Sequence, residues 1–203
     1  MAKPRSNKFL WVTWLSRLMA GEISCEWAPW FKVRNEFEKV LSTPDLVRWK
    51  IAHNQMVREY RRNFIEAGKK VLSEHQVRFR YQTRGGLLLS GAADLIAISK
   101  NEIEVVDCKT GSPRDSDQVQ VMIYMYCLPR ARPDFKRKRI KGLVVYKDQK
   151  IEIPNTVIDS EFRKNLRYFI GVLEKDEEPL RSPSLSECQF CDIARRDCPE
   201  RME

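Results

Sequence analysis

Asp94, Asp107 and Lys109 are the residues of this chain whose types and spacing are best suited to chemistry. The run Ile103-Glu-Val-Val-Asp-Cys-Lys109 reads as a strand ending in charge, and side chains two apart in a strand share a face. Asp107 and Lys109 therefore project together, while Cys108 turns the other way, into the core. Asp94 closes Gly91-Ala-Ala-Asp94, whose small side chains permit close strand packing. A short turn near Lys100 and Asn101 would return the chain antiparallel and set this second carboxylate beside the first. Two converging carboxylates are hard oxygen ligands that can hold a magnesium-type cation and leave positions for water and a phosphate oxygen. A neighbouring ammonium can orient that water, lower its pKa or offset charge growing on phosphorus. The plainer meaning of Asp-x-Lys is a buried ion pair at a strand end.

The next helix adds weight. Gln120 and Tyr124 are four apart and so share one helical face, from which they can reach a phosphate or a water. Gln118 is a weaker alternative, turned away from that face. A helix with an ordinary polar stripe is the plainer reading of this pair too.

A second constellation is made of thiols. Cys188-x2-Cys191 and Cys198 lie within eleven residues, and Cys25 is the best fourth partner because it sits in a non-strand segment among aromatic residues. Cys108 and Cys127 fall in a strand and a helix core and read as buried thiols. Four thiolates suit a tetrahedral zinc or a four-iron, four-sulfur cluster, and spacing does not separate the two. Disulfides are the third option and would require export.

Elements that must position these groups follow from periodicity. Residues 8–42 look helical and aromatic, with breaks at Gly21 and near Pro29. Thr43-Pro44-Asp45 starts a long helix that stops at Gly68. From Gln76 the period becomes two through Val77, Phe79 and Tyr81, and Arg84-Gly85-Gly86 makes a hairpin turn. Strands are expected over 87–98 and 102–109, a helix from Asp117 to Leu128 closed by Pro129, strands over 139–147 and 150–153, and a helix from Ser160 to Leu173. The sum is an α/β sandwich with a small mixed sheet. One body of 203 residues is expected, with a helical part over 8–70, a sheet core over 75–155 and a C-terminal helix with the cysteine motif over 159–203.

Composition narrows the partners. The chain is 42% hydrophobic and 32% charged and carries a net charge of +9. The excess is clumped at Arg61-Arg62, Lys69-Lys70, Arg78, Arg80, Arg84 and the run Lys136 to Lys141, which suits a polyanion, although such runs also make ordinary solvated faces. No apolar run is long enough to cross a membrane. The first twenty residues imitate an export signal, but Arg17 interrupts the apolar stretch. The same stretch fits an amphipathic helix with Trp11, Trp14, Leu15 and Leu18 on one face, so a cytoplasmic location is expected.

In this order, a first cysteine, a helix histidine, Gly-x-x-Asp, Asp-x-Lys, Gln-x3-Tyr and a terminal cysteine trio resemble the RecB-like branch of the PD-(D/E)XK nucleases. The resemblance spans positions 25–198 and is nearest to the CRISPR-associated iron–sulfur exonucleases, with the AddB-type cluster nucleases as cousins. It implies a restriction-endonuclease-like core, a mixed central sheet flanked by helices, with N-terminal helices and a C-terminal cysteine cluster. It further implies that Asp94 and Asp107, with the Cys108 carbonyl and His53, bind Mg2+ or Mn2+, that Lys109 is the catalytic lysine, and that Gln120 and Tyr124 belong to the site. Cys25, Cys188, Cys191 and Cys198 would bind a 4Fe-4S cluster, with zinc the lesser possibility. His75 is assigned no role. Asp107 stands where Glu is more frequent, which keeps the carboxylate and shortens its reach.

The implied activity is metal-dependent hydrolysis of single-stranded DNA ends, from the 5′ side, in CRISPR adaptation or DNA repair. CRISPR integrase proteins or a repair helicase are the implied partners. The competing reading is a non-catalytic DNA-binding or adaptor module built around the zinc or iron–sulfur site.

Overall fold

A computed structural model describes residues 2–40 and 46–202. The first part runs β1 (Lys3–Pro4), β2 (Phe9–Trp11), α1 (Val12–Met19), α2 (Trp27–Arg34), β3 (Asn35–Glu36) and α3 (Leu46–Glu66). Next come β4 (Lys70–Ser73), α4 (Glu74–Val77), β5 (Phe79–Gln82), β6 (Leu88–Gly91), β7 (Leu95–Ile98) and β8 (Glu102–Cys108). The chain continues with α5 (Asp115–Ala131), β9 (Arg139–Val145), β10 (Lys150–Ile153), α6 (Ser160–Glu174) and α7 (Leu185–Cys188).

The main sheet has the order β10-β9-β8-β7-β4, with β8 and β9 parallel and the other pairs antiparallel. A smaller sheet, β2-β6-β5, joins β2 to β6 in parallel, and β1 pairs with β3. Alternation along β8 decides which helices cover which face. Ile103 and Val105 enter the large core together with Val121, Met125 and Leu128 of α5 and Phe162 and Leu166 of α6. Val106 and Cys108 point oppositely, onto Met56, Val57, Tyr60 and Phe64 of α3. The mixed sheet between helices is the expected fold class.

Several local expectations are corrected. The strand foreseen over 87–98 is two strands in different sheets, because β6 pairs with β5 and β2 while β7 pairs with β4 and β8. The chain leaves one sheet for the other at Ala92-Ala93-Asp94. Gln76 and Val77 lie in α4, whose start is a capping box between Ser73 and Gln76, so the alternating strand begins at Phe79. β4 was not foreseen, since Lys70-Val-Leu-Ser73 is too short to show a period. Phe9 to Trp11 form a strand, and the first helix begins only at Val12.

Neither proline breaks its helix. Pro29 is the third residue of α2, where an amide would lack a helical partner anyway, and Pro129 sits in the last turn of α5, which runs on to Ala131. The helix start expected at Thr43-Pro44-Asp45 lies outside the described residues. Its stop is where it was expected, with Gly68 at φ +75° just past α3. Among the described residues no helix is long and apolar enough to cross a membrane.

Candidate active site

The β7–β8 register pairs Leu95 with Val106, so Asp94, one residue before, and Asp107, one residue after, meet at the same sheet end. The Cys108 amide donates to Asp94 Oδ2 at 2.7 Å, which fixes that carboxylate against the end of β8. His53, from α3, brings Nε2 to 3.2 Å from the same oxygen. The two helical layers thus contribute to one site because Asp94 lies where the chain passes between sheets.

On the other side of β8, α5 delivers a polar network. Gln120 Nε2 donates to Asp107 Oδ1 at 3.1 Å and to the Tyr124 hydroxyl at 2.9 Å, and Gln120 Oε1 accepts from Lys109 Nζ at 2.9 Å. Lys109 Nζ also lies 2.8 Å from Asp107 Oδ2 and 3.5 Å from Asp117 Oδ1. Tyr146 donates to Asp117 Oδ2 at 2.9 Å. Asp117, Gln120 and Tyr124 fall at i, i+3 and i+7, a single helical face. Asp117 and Tyr146 were missed from sequence. That i, i+3, i+7 spacing could have revealed Asp117, whereas Tyr146 reaches the site only through the β8–β9 pairing. Gln118 is not among the residues of this network.

Electrostatics follow from burial. Asp107 is only 3% exposed. Burial pushes its carboxyl up to about 6, against the pull of Lys109 and helped by Asp94. Burial disfavours the Lys109 ammonium, yet the charges of Asp107, Asp117 and Asp94 outweigh it and hold the amine above its ordinary value. The contact with Asp94 raises His53 above the usual imidazole range.

These groups line a cavity of about 510 Å³ that is also bordered by Trp11, Trp49, Arg78, Gly111 and Arg114. Asp107 Oδ2 is buried and, beyond the Lys109 ammonium 2.8 Å away, has no hydrogen-bond donor among the described residues. A buried carboxylate oxygen of this kind, with Asp94 and His53 on the same cavity, is donor chemistry that suits a hard divalent cation. As the side chains stand, no group of three or more His, Cys, Asp or Glu among the described residues is arranged around a metal position. Cys108 borders the cavity, but its thiol is buried under α3, where burial raises its pKa.

The four cysteines of the second constellation come together away from this cavity, while Cys127 is buried in the core. Cys25, Cys188, Cys191 and Cys198 line one small cavity of about 60 Å³, beside Trp27 and Ile193. All are free thiols, and burial raises those of Cys191 and Cys198. Glu187 ties the two distant segments together by accepting from the Ser24 amide and hydroxyl at 3.1 and 2.6 Å and from the Cys25 amide at 3.3 Å. Arg201 Nη1 donates to the Cys191 and Ile193 carbonyls at 2.7 and 2.6 Å. Four soft donors facing one cavity fit a thiophilic metal centre by type, though their present arrangement is not that of a ligand set. His75 is placed at the cavity adjoining His53 and Asp94, in contact with Ser73.

No curated protein matches this chain. Among solved structures, the crystal structure of SSO0001 superposes with a TM-score of 0.55 at 19% identity, covering 99% of this chain and 91% of the other, a likeness of fold. The family model described as the PD-(D/E)XK nuclease superfamily matches residues 17–199, and nucleases of that superfamily typically use Mg2+ or Mn2+. With the match running from the first helix to the last cysteine, the chain belongs to the PD-(D/E)XK nuclease superfamily.

Proposed function

We propose that this chain is a Mg2+- or Mn2+-dependent deoxyribonuclease that hydrolyses single-stranded DNA from its 5′ end. The observation that carries the reading is the meeting of Asp94, Asp107 and Lys109 on one open cavity, with Lys109 Nζ 2.8 Å from Asp107. Asp94, Asp107 and His53 would hold the cation, with the Cys108 carbonyl as a further ligand. When bound, such a cation polarises a phosphate oxygen and lowers the pKa of water.

The protein's own groups do the rest. Lys109, held as an ammonium by three carboxylates, donates toward a phosphate oxygen and offsets charge as the water oxygen bonds to phosphorus and the ester P–O bond breaks. Gln120 fixes Lys109 and Asp107 with the two ends of one amide, and Tyr124 holds Gln120. Arg78 and Arg114 border the cavity and can take flanking phosphates. The net charge of +9 supports attraction to the strand.

The cysteine cavity supports a 4Fe-4S cluster, with zinc as the second choice, that staples Cys25 to the C-terminal segment. A RecB-like enzyme of CRISPR adaptation or DNA repair is the setting we favour, with integrase proteins or a helicase as partners. The test is degradation of 5′-labelled and 3′-labelled single strands with Mg2+, Mn2+ or chelator. The proposal expects metal-dependent shortening from the 5′ side. Internal cuts only, or loss from the 3′ side only, would overturn the exonuclease polarity, and no cleavage under any metal would overturn the activity.

A further inference from the structure

One stripe of α3 is Trp49, His53, Met56, Tyr60 and Phe64, at i, i+4, i+7, i+11 and i+15. Met56, Tyr60 and Phe64 pack on the sheet, over Val106, Cys108 and Leu143. The first two members, Trp49 and His53, lie outside that packing. His53 passes beyond the sheet end to meet Asp94, and Trp49 stacks on the His53 ring with centroids 5.2 Å apart and planes at 17°. Trp49 remains 51% exposed and borders the same cavity as Asp107 and Lys109. Burial cannot explain a tryptophan placed so. One face of its indole is backed by an imidazole that is itself held by a carboxylate, so the ring stands as a shelf beside the cavity.

Resting on the nuclease reading, we propose that Trp49 is the platform on which a nucleobase of the substrate stacks, next to the phosphate that would meet the cation of Asp94 and Asp107. Stacking accepts any base because each has a π face, but it requires a base that is out of a duplex stack. Trp49 would therefore set the preference for single strands without setting sequence. The cavity of about 510 Å³ falls within the ~300–1,000 Å³ of small-ligand pockets, room for a nucleotide-sized group. Arg78, whose guanidinium lies 6.0 Å from the Trp11 ring centroid, borders the same cavity and supplies positive charge for the backbone.

The experiment compares wild type, Trp49→Ala and Trp49→Phe on an intact single strand and on an abasic strand of equal length and charge. Equilibrium binding is read by fluorescence anisotropy with chelator present, and cleavage is read as KM and kcat with metal. Wild type should bind the intact strand better than the abasic one. Trp49→Ala should lose that preference, weakening intact-strand binding and raising its KM by about 5- to 150-fold, with the abasic strand unaffected and Trp49→Phe in between. Equal loss on both strands would overturn the platform and leave Trp49 only a support for His53. A wild type indifferent to the missing bases would overturn it as well, whether or not the alanine variant folds. Because binding is measured without turnover, failure of cleavage in the wild type condemns the nuclease reading separately.

Discussion

Lys109 Nζ donates to Gln120 Oε1 at 2.9 Å, so the side chain expected to stabilise charge in the reaction is oriented by a buried amide on the neighbouring helix. The other end of that amide serves Asp107 and Tyr124. Replacing Gln120 by Leu keeps the volume roughly and removes all three contacts. Because a buried polar group left unpaired costs ~1–3 kcal/mol, the variant should melt several degrees lower. It should also lose activity mainly in kcat. Thermal denaturation and steady-state kinetics check this, and an unchanged kcat would show that the amide orients nothing that matters.

Gly91 is a close-approach position. A Cβ there would meet Tyr124 Cε1 at 2.6 Å and Val12 Cγ2 at 2.8 Å. Gly91→Ala should therefore destabilise by about 1–3 kcal/mol through overpacking and displace Tyr124 from Gln120. Chemical denaturation gives the stability. A fully stable alanine variant would mean that α5 and β6 are less tightly engaged than described.

Cys127 is fully buried, and burial pushes its thiol up from 9.0 to about 12. Folding therefore favours the protonated form. The stability this contributes is intact below the unfolded value and declines as pH rises from about 9 toward about 12, where the folded chain holds the extra proton. At pH 8 iodoacetamide should leave Cys127 unmodified in the native protein and modify it after denaturation, as read by peptide mass mapping. Rapid native labelling of Cys127 would contradict its position.

Glu187 holds Ser24 and Cys25 beside Cys188 by three hydrogen bonds. Glu187→Ala should free the Cys25 segment and weaken metal retention about 10- to 100-fold, the usual effect of removing a group that orients a ligand. Iron, acid-labile sulfide and zinc analysis of anaerobically purified wild type and variant measures it. Brown wild-type protein is expected. Colourless wild type with stoichiometric zinc would replace the cluster by zinc, and equal metal content in both would remove Glu187 from the assembly.

The parts of the fold that showed in the sequence are those with a long period or a strong stop. The strand into Asp107, its alternation with Cys108, the end of α3 at Gly68 and the helix at Ser160 all have local causes. The break between β6 and β7 has none, since Gly91-Ala-Ala-Asp94 suits a continuous strand and only the separate pairing partners divide it. The same holds for the site. Asp94, Asp107, Lys109, Gln120 and Tyr124 come together as their spacing suggests. Asp117 was overlooked because a carboxylate in the first turn of a helix has an ordinary dipole role. Trp49 could be noticed only once its helix was seen to overrun the sheet.

The central claim is that Asp107 and Lys109 perform metal-dependent phosphodiester cleavage at this sheet end. The most direct measurement is turnover of a labelled single strand by wild type, Asp107→Ala and Lys109→Ala with Mg2+ or Mn2+, alongside strand binding. Cleavage by wild type only, with binding retained in both variants, is the predicted result. Metal-dependent cleavage that survives in either variant would contradict the assignment of that residue, and survival in both would contradict the account.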